Sequence, residues 1–496
     1  MERSTFMVDR IDRRRPCFDG FHARPAEGLP ALHRLDEGDR DIMHDFCNCP
    51  HAPISRSIIA RAAATFSRRG FLQTALGAAL APLLLPLRVL AAETVTVLRA
   101  ARLFDGSTIR TPGVLVIKGD HIVSMTAGDA GSSASVVDLG DATIMPGLID
   151  CHTHLAARVS TSIYLDGFGP SGESSSSVAE SAIFSIKNAA AVLHNGFTSV
   201  RDVGGGGGID IALRDAINSG EIVGPRMLVA GLPLSITGGH GDSNDVPSDI
   251  IINRPTGISW GPYGFREVVR ENVKNHVDLI KILATGGVLS YGDTWNIPQM
   301  NLDEIQASVD EAHKFGRKIT AHCHGDPGIA LAVDGGCDSI EHCTGVSEAT
   351  TKKMKDRGVY LVPTIWALDS INQPGNPNHI TQNSLDKARR ITGIRNDGIA
   401  RAKAAGVTMA YGTDAGVFPH KENNKDFVLL RKLGVEPMDL LKSATSVAAE
   451  NIGVTDRGRL AAGMLADVVA VPGDPSKTME SMERPSFIML GGKRIA

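Results

Sequence analysis

The chain lacks an excess of either charge: 51 Lys+Arg stand against 55 Asp+Glu, a formal net charge of −4 over 496 residues. No basic patch stands out, which argues against a nucleic-acid partner. Cysteine is scarce, seven in all, and none has zinc-finger spacing apart from Cys47 and Cys49. Cys151, Cys323, Cys337 and Cys343 fall in or beside predicted strands, where buried free thiols are expected instead of disulfides. The glycine run from Gly204 to Gly208 has no Gly-Lys-Ser/Thr behind it, so it reads as a flexible loop and not a phosphate cradle.

One uncharged stretch, residues 70–87, sits at the lower length limit for a membrane span and carries Pro82 and Pro86. Ser67-Arg68-Arg69-Gly70-Phe71-Leu72 leads into it and Leu90-Ala91-Ala92 follows as a small-residue cleavage site. Residues 1–92 therefore read as a leader ending in a twin-arginine export signal. A retained membrane anchor is the alternative, and no cysteine follows the run to carry a lipid. Export implies a periplasmic or secreted protein, the twin-arginine machinery as a partner and no stable membrane anchor. The region before Ser67 is long for such a signal; an upstream start codon accounts for it, with Met43 as a later candidate. His44, Cys47, Cys49 and His51 form a further candidate metal set there.

A length of 496 residues suits two domains, a barrel and an accessory unit. Residues 95–98, 113–118 and 121–125 alternate and turn like short antiparallel strands, as do residues 466–471 and 487–490 before Gly491-Gly492. Residues 93–145 and 451–496 are thus expected to build one small β-sandwich around a central domain, residues 146–450. In that domain, short β-branched apolar runs end near His154, Val203, Leu232, Ala284, His324, His342, Thr364 and Asp414. Eight strands with room for helices between them predict an α/β fold, a (β/α)₈ TIM-like barrel.

Six residues at or near those strand ends carry metal-binding chemistry: His152, His154, Lys281, His322, His342 and Asp414. Imidazoles and carboxylates bind zinc-like ions, and a lysine joins them once it has lost its charge. Residues two apart on a strand share a face, so His152 and His154 project together, with Cys151 and Thr153 opposite. Two core histidines bonded to backbone are the plainer alternative. Lys281 lies in an otherwise apolar strand, residues 277–284, where an unpaired ammonium is costly. A salt bridge is one way to neutralise it. The set as a whole reads as a metal-dependent hydrolase.

Pro146-Gly147-Leu148-Ile149-Asp150-Cys151-His152-Thr153-His154 resembles the first-strand motif of the amidohydrolase superfamily, and Gly412-Thr413-Asp414-Ala415-Gly416 its eighth. Gly196 to Asp202, Ile280-Lys281-Ile282 with Thr285-Gly286-Gly287, Ala321-His322-Cys323-His324-Gly325 and Ser339-Ile340-Glu341-His342 are similar to the imidazolonepropionase-related branch. Within it they resemble metal-dependent dipeptidases, carboxypeptidases and ochratoxin-hydrolysing amidases, over roughly Val95 to the C-terminus.

The resemblance implies two divalent ions, most simply zinc, bridged by a carbamate that carbon dioxide forms on Lys281. It makes His322 and His342 ligands, His324 a residue that either supports the ligands from behind or contacts substrate, and Asp414 both ligand and proton shuttle. His240, in Ser235 to Asp242, becomes a candidate oxyanion stabiliser, with a structural loop histidine as the alternative. Tyr291 and His420 are candidate substrate contacts that ordinary packing explains equally well. The implied reaction is attack of metal-activated water on a dipeptide-like or N-acyl amino acid amide bearing a free carboxylate. A cyclic amide or lactone hydrolase, and a non-catalytic scaffold of the same fold, are the alternatives. A homo-oligomer is the expected assembly.

Arg68→Lys together with Arg69→Lys should trap the precursor inside the cell, read by fractionation. Unchanged export would contradict the twin-arginine route.

Overall fold

The computed structural model describes residues 95–126, 128, 134–157, 177–242, 244, 256–290, 292–377 and 380–496. The expected leader, its candidate metal set and Tyr291 lie outside the described residues. Among the described residues no helix is long and apolar enough to cross a membrane.

Seven short strands come first: β1 (Val95–Ala100), β2 (Arg102–Phe104), β3 (Ile109–Arg110), β4 (Gly113–Lys118), β5 (His121–Ser124), β6 (Ser135–Asp138) and β7 (Ala142–Pro146). The central region supplies β8 (Leu148–Thr153), β9 (Phe197–Asp202), β10 (Arg226–Val229), β11 (Ser235–Ile236), β12 (Ile258–Ser259), β13 (Leu279–Leu283), β14 (Lys318–Cys323), β15 (Ser339–His342) and β16 (Tyr360–Val362). The chain ends on β17 (Val468–Pro472), β18 (Phe487–Leu490) and β19 (Lys493–Arg494).

In the central region β8, β9 and β10 pair in parallel, as do β13, β14, β15 and β16. Every residue of β8, β9 and β13 is buried, as parallel strands are when helices cover both faces. Helices alternate with these strands. The one at Val178–His194 starts on a reciprocal cap: Ser177 Oγ accepts from Glu180 N, and Glu180 Oε2 accepts from Ser177 N at 2.8 Å.

Backbone bonds link the two parallel sets. Leu234 N donates to Lys281 O at 2.8 Å, and Leu283 N to Leu234 O at 2.9 Å. On the other side, Ala410 N donates to Leu361 O and Cys151 N to Tyr411 O, each at 2.9 Å. The run expected as an eighth strand, residues 407–411, carries only the isolated bridge of Met409 to Leu361. Its backbone still bonds on both sides, Leu361 N to Thr408 O at 3.0 Å and Cys151 N to Tyr411 O at 2.9 Å, without the continuous ladder of a strand.

The first and last described strands meet. β17 pairs antiparallel with β7, whose other edge pairs with β2, and β1 pairs with β4 and β6 in a second sheet. Leu98, Leu115, Ile144, Val468 and Phe487 share one apolar core between those strands. The four cysteines of the described residues are buried free thiols, as expected.

Phe487→Ala should cost roughly 3–5 kcal/mol in chemical denaturation, the usual range for a fully buried ring. A loss below about 1 kcal/mol would mean the C-terminal strands are not part of that core.

Candidate active site

The C-terminal ends of the parallel strands bring the six sequence-predicted residues to one cavity of about 140 Å³. β8 carries His152 and delivers His154 just past its end, β13 carries Lys281, β14 carries His322, and β15 ends on His342. Asp414 arrives from the segment beside β8, where its backbone N donates to His152 O at 2.8 Å. His240 and His324 line the same cavity. Three of its residues adopt left-handed backbone: His342 at φ 66°, Asp414 at φ 63° and Thr364 at φ 47°. Such conformations cost on the order of 1–3 kcal/mol each and cluster at functional sites.

Hydrogen bonds fix where the imidazole lone pairs point. His152 Nδ1 lies 2.7 Å from Glu341 Oε2, and His154 Nδ1 lies 3.1 Å from Gly204 O. Both partners only accept, so each Nδ1 carries the proton and each Nε2 is left with a lone pair. Those two Nε2 atoms both stand 3.3 Å from Asp414 Oδ1. Lone pairs converging on a carboxylate oxygen repel unless a cation sits among them or an imidazole is protonated. His342 forms one close trio with His152 and Asp414, and the same ring belongs to a second trio with His322 and His324. His322 Nε2 donates to Gly286 O at 3.3 Å, which leaves its Nδ1 as the donor atom for a metal. The residues therefore fit divalent cations.

Electrostatics agree with that fit. Burial pushes the His322 and His342 imidazoles well below their usual range and His324 down to about 3, so all three rings are neutral at neutral pH. Burial works against Asp414, but His152 and His154 in their protonated form outweigh it and hold the carboxyl well below its ordinary value, while against burial Asp414 raises His154, so this group calls for the positive charge that a bound cation would supply. Lys281 is 2% exposed, and burial brings its amine down to about 8. Among the described residues its Nζ has no hydrogen bond or salt bridge, so the plain ion pair considered from sequence is not what holds it.

Two residues behind the metal set escaped the sequence reading. Glu341 is fully buried and accepts from His152, Arg201 Nη2 at 2.7 Å, Ser339 Oγ at 3.0 Å and Thr320 Oγ1. Burial would raise its pKa, but Arg201 and His152 hold it far below the carboxylate range. Arg201 also donates Nε to Cys151 O at 2.5 Å, gripping β8 next to His152. β9 (Phe197–Asp202) and β15 (Ser339–His342) carry several polar residues, so neither charge stood out as Lys281 does in its apolar run.

The softer candidates divide. His240 stacks on His322 with ring centroids 4.3 Å apart, and burial lowers its imidazole to about 4. His324 Nδ1 bonds Thr344 Oγ1 at 2.7 Å, which steers the rest of the ring. His420 instead donates Nε2 to His154 O at 3.1 Å and does not line the cavity, so it props the strand end. Beyond the metal set the lining is apolar, with Val288, Leu289, Leu368, Ile371 and Val417, and Arg395 at its edge.

The amidohydrolase family model matches residues 143–495. The chain belongs to the amidohydrolase family. It is 29% identical to the ochratoxinase of Aspergillus niger over 426 residues, covering 80% of this chain and 86% of that one. The imidazolonepropionase of Deinococcus deserti is 24% identical over 387 residues, covering 75% and 86%. Among solved structures, a Xaa-Pro dipeptidase with bound methionine in its active site is 33% identical, with a TM-score of 0.74 over 81% of this chain and 99% of that one. This amidohydrolase is accordingly a hydrolase acting on amide bonds, in a family that generally uses divalent metal.

Glu341→Gln removes the charge that fixes the His152 proton while keeping the side chain's size. Affinity for divalent metal, measured by chelator competition, should fall about 10- to 100-fold, the usual effect of losing such a partner. Unchanged affinity would remove Glu341 from the metal site's support.

Proposed function

We propose that this amidohydrolase is a binuclear metal-dependent amidase of carboxypeptidase or dipeptidase type, built on a (β/α)₈ barrel flanked by a β-sandwich. The convergence of two imidazole lone pairs on Asp414 beside an unpaired, buried Lys281 carries this reading. His152, His154 and Asp414 would hold one ion, and His322 and His342 the other. Lys281 would bridge them after its neutral amine adds to carbon dioxide and releases a proton, which turns a costly cation into an anionic ligand. Divalent ions bound there, most simply zinc, would supply Lewis-acid polarisation and an activated water.

The protein's own groups do the rest. Asp414 is ionised and faces the cavity, so it takes the proton of the attacking water and hands it to the departing amine. His240 and His324 present ring edges to the substrate. The apolar wall suits an apolar side group, and Arg395, which also pairs with Asp369 at 2.9 Å, is a cation lining the cavity toward which a substrate carboxylate would turn. The similarity to ochratoxinase supports the same class, an amide joining an acyl group to an amino acid.

A substrate panel tests the proposal. N-acyl amino acids, dipeptides with apolar residues or ochratoxin A should be hydrolysed; turnover confined to cyclic amides or lactones would overturn it. Asp414→Asn should lose turnover by ~10² or more, the scale of general acid–base assistance, while metal content falls less. Near wild-type turnover with metal bound would refute the shuttle.

A further inference from the structure

The cavity wall at Val288 and Leu289 belongs to a loop that leaves the end of β13 and returns to it. Gln299 N donates to Ala284 O at 2.8 Å, and Thr285 forms an antiparallel bridge with Pro298, so the two ends of the loop stay together. Among the described residues no helix or strand lies between β13 and the helix Leu302–Lys314. A loop of this kind keeps its shape through its own side-chain contacts.

Two charged residues supply them. Asp293 Oδ2 accepts from Gly287 N at 3.1 Å and Gln299 Nε2 at 3.2 Å, and its Oδ1 accepts from Ser290 Oγ at 2.5 Å and Lys387 Nζ at 3.2 Å. Lys387 reaches the loop from the helix Gln382–Ala405 and also donates to the carbonyls of Gly287, Ser290 and Asp293 at 3.0, 2.6 and 3.2 Å. An ammonium has three N–H groups, and here three carbonyls and a carboxylate share them. The Lys387 side chain is only 12% exposed, so little water competes for these bonds. The Gly287 peptide is gripped on both sides, and Val288 and Leu289 hang between two pinned carbonyls.

Helix and loop also share an apolar core. Leu385 and Ala388, flanking Lys387, belong to one cluster with Val288, Leu368 and Val417, and the last three line the cavity. Apolar packing is non-directional, so it does not by itself decide how far Val288 and Leu289 stand into the cavity. Directed bonds from Lys387 do.

We infer that Lys387 is a positioning residue for substrate choice: by holding the carbonyls on both sides of Val288 and Leu289 it fixes the apolar wall, which then selects a large apolar side group over a small one. Lys387 does not line the cavity, so it acts on substrate through the wall alone. The choice of substrate rests on the proposed amidase; the latch itself rests on the loop.

Hydrogen exchange of the full-length protein reads the latch without substrate. Lys387→Met keeps the side chain's reach and removes its donors, and exchange over residues 286–290 should rise about tenfold or more, the scale of one hydrogen bond to a charged group. β14 and β15 should keep their wild-type rates. Unchanged exchange over residues 286–290, or a rise spread equally over every strand, would overturn the latch. Kinetics read the selection, with N-acetylphenylalanine against N-acetylalanine or the dipeptide Phe-Ala against Ala-Ala. The wild type should prefer the larger side group in kcat/KM by about tenfold or more, as apolar pockets discriminate. Lys387→Met should lose most of that preference through a higher KM for the larger substrate with kcat kept, the mark of lost binding and not of damaged chemistry. Val288→Ala, which trims the wall and leaves the latch intact, should lose it as well. An equal fall in kcat for both substrates in Lys387→Met, or a preference untouched by Val288→Ala, would overturn the selection. A wild type that hydrolyses neither pair would count against the amidase reading and leave the exchange result standing.

Discussion

The cavity depends on one contact: Asp414 Oδ1 standing 3.3 Å from the lone pairs of both His152 and His154. In water such an arrangement would fall apart. Here it persists because each imidazole is clamped at its far nitrogen, His152 by Glu341 and His154 by the Gly204 carbonyl. Asp414 is clamped through its backbone, which accepts a left-handed conformation to bond His152 O. Strain and desolvation of this kind are tolerated where a ligand later relieves them. A divalent cation relieves both at once, by taking the lone pairs and matching the carboxylate charge.

The rest of the fold serves that contact. Parallel strands deliver several side chains to one end: His152, His154, His322 and His342 sit at or within one residue of a strand terminus, and Lys281 in the middle of β13. Arg201 on β9 reaches under β8 to Glu341 on β15, so three strands are tied together beneath the site by a buried ion pair. Removing one partner of such a pair leaves a buried charge, which makes this tie as much a constraint as a support. Specificity comes from elsewhere: the helix Ile365–Ile371, the helix Gln382–Ala405 and the loop around Asp293 wall the cavity and hold its polar groups.

Much of this was legible in the chain. Strand alternation placed His152 beside His154, and a lysine in an apolar run marked Lys281, because local period and local cost are written locally. Arg201 and Glu341 bore no such mark, since their strands are rich in polar residues and their meaning lies in distant partners: Glu341 meets His152 across 189 positions of sequence. The apolar wall was invisible for a similar reason, since Val288, Leu368 and Val417 are ordinary core residues until the fold brings them to one cavity. His420 looked like a substrate contact because it follows Asp414 in sequence; its side chain turns back to the strand instead. The run expected as an eighth strand bonds to Leu361 on one side and Cys151 on the other yet carries only one isolated bridge, a register that no local pattern announces.

Metal content of the purified full-length protein tests the account most directly. Elemental analysis after exhaustive dialysis should find about two divalent ions per chain, as two-metal hydrolytic sites hold. Strong chelation should remove them together with amide hydrolysis, and zinc or a similar ion should restore both. Full activity in thoroughly metal-depleted protein would contradict the central claim that these converging donors exist to hold metal.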